Sequence, residues 1–202
     1  MKIARLHIFF ILISFSAQSQ DLKSIPWEGR LPVVSPLYEQ LKIKDTTALI
    51  LALEYKSYWS KGTLKEFLVF FRNREIKLIK EFKPIDKSRK VKIKKKRIKG
   101  EINSEMWSFL DSCLTNNLFE IDQKELQKIS KPAENGKTST MIVNDGPLYS
   151  IALIAGRNFS NSYAYAPKSY IESGYPGIED RRKFLIIIEG FYRIINTVGN
   201  NG

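Results

Sequence analysis

The chain has 202 residues, enough for one domain of ordinary size, with a net charge of +12, one histidine (His7) and one cysteine (Cys113). A single cysteine excludes an intramolecular disulfide, and a single histidine leaves zinc sites of the usual kinds without their ligands. No segment reaches the ~18 uninterrupted apolar residues that mark a membrane-spanning helix.

Residues 1–19 read as a cleavable export signal. Lys2 and Arg5 make a short positive region, residues 8–15 are almost wholly apolar, and Ala17 and Ser19 are small residues two apart. That spacing suits signal peptidase, so cleavage is expected after Ser19, with Gln20 as the near alternative, and the mature protein is expected to be secreted or periplasmic. Eight residues span only about 12 Å as a helix against about 30 Å of hydrocarbon, too short for an anchor. Cleavage also removes His7, and with it Ser-His-Asp and Cys-His catalysis. Losing Lys2 and Arg5 lowers the net charge from +12 to +10, and nine of those charges sit in residues 87–99. What remains is a near-neutral chain with one cationic strip.

Residues 20–44 carry Pro26, Pro32 and Pro36 and read as an extended N-terminal arm, with room for one helical turn at 36–41. Residues 45–202 read as a single α+β domain. The run at 48–55, ALILALEY, is nearly continuous in apolar residues, as a strand covered on both faces would be. Lys61-Gly62 marks a turn, and 64–71 and 75–82 form a hairpin joined at Arg72-Asn73-Arg74. The cationic strip 87–99 is the next strand. Met106, Leu110, Cys113 and Leu114 then fall on one face of a helix capped at Asn103 or Ser104. Cys113 is expected to be a small buried apolar residue.

Residues 120–136 read as a polar loop with one helical turn. Strands at 138–143, 148–155 and 159–166 follow as a three-stranded meander, the first two joined at Asp145-Gly146. Phe184, Ile187, Ile188, Phe191, Ile194, Ile195 and Val198 complete the ladder of an amphipathic C-terminal helix. The expected fold is therefore α+β: an antiparallel sheet of about six to seven strands in two blocks, each block followed by a helix packed on the sheet.

Two constellations are candidate sites. Lys90, Lys92, Lys94, Lys95, Lys96, Arg97 and Lys99 form a salt-sensitive anion-binding candidate for an anionic polymer, a lipid headgroup or a glycan. The strip has no aromatic residue for base stacking, so sequence-specific nucleic-acid binding is not expected. Its alternative reading is an edge strand whose lysines block unwanted pairing. Tyr163 and Tyr165 share one face of the strand at 159–166 with Phe159 and Asn161, and Tyr170 and Tyr175 follow in a loop. Such a tyrosine face suits a sugar or a peptide. Its alternative is core packing, and the sequence leaves open whether the rings or the small residues Ser160, Ser162 and Ala164 face inward. No catalytic residue, cofactor or metal is indicated, and no motif points to a family. The functional expectation is a non-catalytic binding or structural module for an envelope or extracellular ligand. The competing expectation is a histidine-free hydrolase using two of Asp122, Glu125, Asp145, Glu172, Glu179 and Asp180.

Overall fold

The computed structural model describes residues 25–27, 29–30, 47–57, 60–86, 88–156 and 158–200. The export signal at 1–19 and the helical turn at 36–41 lie outside the described residues. Of the N-terminal arm, Ile25 is buried in the main core, Trp27 packs against it, and Gly29–Arg30 forms strand β1.

Strands β2 (Thr47–Lys56), β3 (Gly62–Phe71), β4 (Ile76–Pro84) and β5 (Lys92–Ile98) run in sequence as antiparallel neighbours. Helix α1 (Gly100–Thr115), the short helix α2 (Gln123–Leu126) and a small hairpin, β6 (Ser130–Pro132) and β7 (Thr138–Thr140), follow. The chain then returns through β8 (Leu148–Ala155) and β9 (Asn158–Tyr165), the short helix α3 (Pro167–Glu172) and the long helix α4 (Ile178–Asn200). The seven-stranded antiparallel sheet has the order β1-β9-β8-β2-β3-β4-β5. The two sequence blocks meet where β2 pairs with β8, Leu51 opposite Leu153.

Strand alternation divides the apolar residues between two faces. Leu49, Leu51 and Leu53 of β2, Leu68 and Phe70 of β3, Ile76 and Leu78 of β4, and Ile151 and Leu153 of β8 point to the helices. Met106, Leu110, Cys113 and Leu114 of α1 and all seven residues of the expected α4 ladder complete that core. Burying each large aliphatic or aromatic side chain there contributes about 1.5–3 kcal/mol. Ile50, Phe67, Val69, Ile79 and Ile154 form a second buried cluster on the opposite face. The run at 48–55 is thus buried on both sides at its centre, Leu49–Leu51, while Ala48, Ala52, Glu54 and Tyr55 are half-buried.

Four local readings need correction. Tyr170 does not follow β9 in a loop: Pro167–Glu172 is the short helix α3, with Pro167 in its first turn, and only Tyr175 lies beyond it. Residues 138–143 do not join β8 in a meander: Thr138–Thr140 pairs with Ser130–Pro132 in the separate hairpin. Pro132 and its polar neighbours gave that partner strand the look of a loop. The strip at 87–99 is a strand only over Lys92–Ile98. Helix α1 begins at Gly100, with Lys99 at the N-cap and no side-chain capping bond. Asn103 is inside the helix instead, where its Nδ2 donates to the Arg74 carbonyl at 3.1 Å.

Candidate functional site

A cleft of about 310 Å³ lies where α2, the β6–β7 hairpin and the end of β8–β9 converge. Leu148, Tyr163 and Tyr165 come from the sheet, Leu126, Gln127 and Ile129 from α2 and the chain after it, Met141, Ile142 and Val143 from the chain after β7, and Tyr170 from α3. Its size falls at the lower end of small-molecule sites, and its lining is mostly aliphatic and aromatic, as such sites are. Tyr163, Tyr165, Ile129 and Ile142 keep 39–78 % of their surface exposed and form the mouth.

The tyrosines reach this cleft because β9 turns its small side chains toward the helices. Ala164 and Ser160 are buried, Ala164 within the helix-side core, so Tyr163 and Tyr165 alternate to the other face. Gln123 secures the outer edge of β9: its side-chain amide donates to the Tyr163 carbonyl at 2.9 Å and accepts from the Tyr163 amide at 2.8 Å. A glutamine here completes the ladder as a peptide group would.

The tyrosine hydroxyls are held by the protein. Tyr165 donates to the Val143 carbonyl at 3.0 Å and accepts from the Gly146 amide at 2.7 Å. Tyr170 donates to the Met141 carbonyl at 3.1 Å, and Gln127 donates to Tyr163. Tyr175 does not line the cleft. Its hydroxyl meets the Ser139 hydroxyl at 3.1 Å, its ring packs edge-on against Tyr170 at 5.7 Å, and the Lys131 ammonium lies 4.7 Å from its ring centre. What the cleft offers is therefore ring faces and aliphatic groups more than free hydroxyls.

Arg181, in the first turn of α4, holds the far side of the site together. It is 1 % exposed. Its guanidinium donates to the carbonyls of Leu126 at 3.0 Å, Lys128 at 2.7 Å, and Pro176. It also lies 4.9 Å from the centre of the Tyr170 ring, a cation–π contact. Burial lowers the affinity of Arg181 for its proton, while Tyr170, Glu125 and Asp180 oppose that shift. Burial likewise pushes the Tyr170 phenol up. Arg181 thus fixes the segment carrying Leu126 and Gln127 and the back of Tyr170 at once. Gly177 permits the close approach. Its φ is +78°, and a Cβ there would lie 2.3 Å from the Glu125 carbonyl oxygen.

The acidic candidates do not converge on the cleft. Asp122 caps α2 by accepting from the Lys124 amide at 2.8 Å, and Asp180 accepts from the Asp122 amide at 2.9 Å. Glu125 pairs with Lys128 and Glu179 with Lys183, while Asp145 occupies a turn at φ 60°. None of the six is among the cleft residues. Among the described residues no cluster of three or more His, Cys, Asp or Glu side chains is placed to hold a metal ion.

The cationic strip lies elsewhere. Lys92, Lys94, Lys95, Lys96 and Arg97 are on edge strand β5, five strand positions from β9, or roughly 24 Å at normal strand spacing. Lys90 precedes the strand and Lys99 follows it. Arg97 is ion-paired with Glu75, and Lys96 donates to the Val198 carbonyl at 2.7 Å near the end of α4, where a cation suits the helix dipole. The structure therefore gathers Tyr163, Tyr165 and Tyr170 into one site and leaves the basic residues as a second surface. Gln123, Gln127 and Arg181 were invisible to sequence reasoning, because each acts on backbone atoms distant in sequence.

No known protein family matches the chain, and no curated protein resembles it closely enough to count as a relative. Its class is set by its own architecture: an α+β sheet protein with an apolar, tyrosine-lined cleft at the end of β8–β9.

Proposed function

We propose that the protein is an exported, non-catalytic binding module, secreted or periplasmic, that holds an apolar group of an envelope or extracellular ligand in the tyrosine-lined cleft. The observation that carries this reading is the combination of about 310 Å³ of space with tyrosine hydroxyls already committed to the protein. A sugar needs free polar partners, whereas an alkyl chain or aromatic ring needs apolar contact, and the lining favours the latter. The export reading rests on residues 1–19, with Ala17 and Ser19 preceding the cleavage point. The hydrolase reading is the weaker of the two, since none of its six carboxylates is among the residues that line the cleft.

Octyl glucoside below its micelle concentration is a suitable probe, because it offers one alkyl chain and an uncharged head. Calorimetric titration should give saturable one-to-one binding. Ile129→Glu with Ile142→Glu, both on exposed side chains at the mouth, should weaken it by on the order of tenfold or more. Absence of saturable binding, or equal binding by the double variant, would overturn the assignment.

A further inference from the structure

The β4–β5 hairpin carries more than lysines. Ile85, Val91 and Ile93 are 68 %, 45 % and 52 % exposed, three of the most exposed large aliphatic side chains among the described residues. An edge strand that used lysines only to discourage pairing would turn its apolar side inward. Here every residue of β5 from Lys92 to Arg97 is exposed and only Ile98 is buried. Ile93 lies opposite Glu81 in the register and shares its face with Lys95 and Arg97.

Several contacts join the described residues between the strands. Asp86 accepts from the Ser88 amide at 3.0 Å and the Ser88 hydroxyl at 2.7 Å, and pairs with Arg89 at 3.5 Å. The Ile85 amide donates to the Lys61 carbonyl at 3.1 Å, tying the tip to the neighbouring turn. Ile85 and Val91 lie on either side of the contacts among Asp86, Ser88 and Arg89, and both are exposed. Lys95 lies on the Ile93 face and Lys92 and Lys94 on the other face of the same edge strand, and these three and Lys90 make no ion pair among the described residues.

We propose that this hairpin is a docking tip for the surface of an anionic lipid bilayer, its lysines meeting the headgroups while Ile85, Val91 and Ile93 enter the interface. Exposed aliphatic groups set among unpaired cations match that surface in both respects. A nucleic acid or sulfated polymer would use the cations and leave the aliphatic groups in water. The proposal is independent of the cleft's ligand.

The test is co-sedimentation with phosphatidylcholine vesicles with and without phosphatidylglycerol, alongside retention on heparin. The protein should bind only the anionic vesicles. Lys92→Gln/Lys94→Gln/Lys95→Gln should weaken that binding by on the order of a hundredfold and lower its salt dependence. Ile85→Ser/Val91→Ser/Ile93→Ser should weaken vesicle binding by on the order of tenfold while leaving heparin retention unchanged. All six side chains are exposed, so thermal melting should show both variants folded, and both share the wild-type N-terminus, so residues 1–19 cancel from the comparison. Equal binding to uncharged vesicles would overturn the proposal. So would an aliphatic variant that binds anionic vesicles like wild type, an outcome that would instead mark the strip as a polyanion site.

Discussion

Replacing Arg181 by alanine would strand three backbone carbonyls, those of Leu126, Lys128 and Pro176, beneath the α2 segment. Bonds to a charged donor contribute about 1.5–3 kcal/mol each, but part of that loss is recovered as water reaches the vacated space. The expected destabilisation is about 3 kcal/mol by urea unfolding, and Arg181→Lys should recover only part of it, since one ammonium cannot span the same carbonyls. A change below about 0.5 kcal/mol would mean that the clamp is incidental. Tyr192 presents the opposite case. Its hydroxyl is buried with no hydrogen-bond partner among the described residues, and burial raises its pKa. Tyr192→Phe should therefore stabilise the protein by about 1 kcal/mol at neutral pH. The same burial sets the alkaline limit. The Cys113 thiol is pushed up to about 12, and Tyr149 and Tyr170 are also raised by burial. Above about pH 8.5 for cysteine and about 10 for tyrosine, the unfolded chain releases protons that the folded protein keeps. Stability then falls as pH rises, by up to about 1.4 kcal/mol per pH unit for each of Cys113 and Tyr192. Unfolding curves across that range should show the decline, and Tyr192→Phe should make it shallower; an unchanged slope would contradict the assignment.

At the scale of elements, the contact between α1 and α4 depends on one glycine. A Cβ on Gly190 would lie 2.0 Å from the Phe109 ring, and that ring is packed edge-on against Phe191 at 4.8 Å. Helix propensity alone would make Gly190→Ala stabilising by about 1 kcal/mol. Overpacking should reverse the sign, giving a net loss of about 1–2 kcal/mol, and Phe109→Leu in the same chain should recover most of it. A stabilised Gly190→Ala would show that the helices have room to part. The start of α1 illustrates why capping signals misled. Asn103 looks like a cap in sequence, but its amide ties the helix to the Arg74 carbonyl, beside the Trp107 indole, which donates to the same oxygen at 3.0 Å. A residue that can cap can also bind elsewhere, and only the neighbouring hairpin decides between the two.

For the whole molecule, the alternation of β9 decided what residue types alone left open. Phe159, Asn161, Tyr163 and Tyr165 alternate with Ser160, Ser162 and Ala164, so the sequence shows two faces without showing which one the helices cover. The helix face took the small residues and left the tyrosines for the cleft. Strongly periodic features were legible: the α4 ladder is buried residue for residue, and the α+β sheet has the expected two blocks. Features built from distant partners were not. The β6–β7 hairpin lacks an apolar pattern, the Gln123 ladder bond spans 40 residues, and the Arg181 clamp spans over 50. The cleft forms where Gln123 ties α2 to β9 and Tyr165 ties β9 to the chain after the hairpin. Its use as a ligand site is tested most directly by magnetisation transfer between octyl glucoside and the folded protein. Nuclear Overhauser contacts are expected from the alkyl chain to the ring protons of Tyr163, Tyr165 and Tyr170. Contacts to other residues only, or none at saturating probe, would contradict that use.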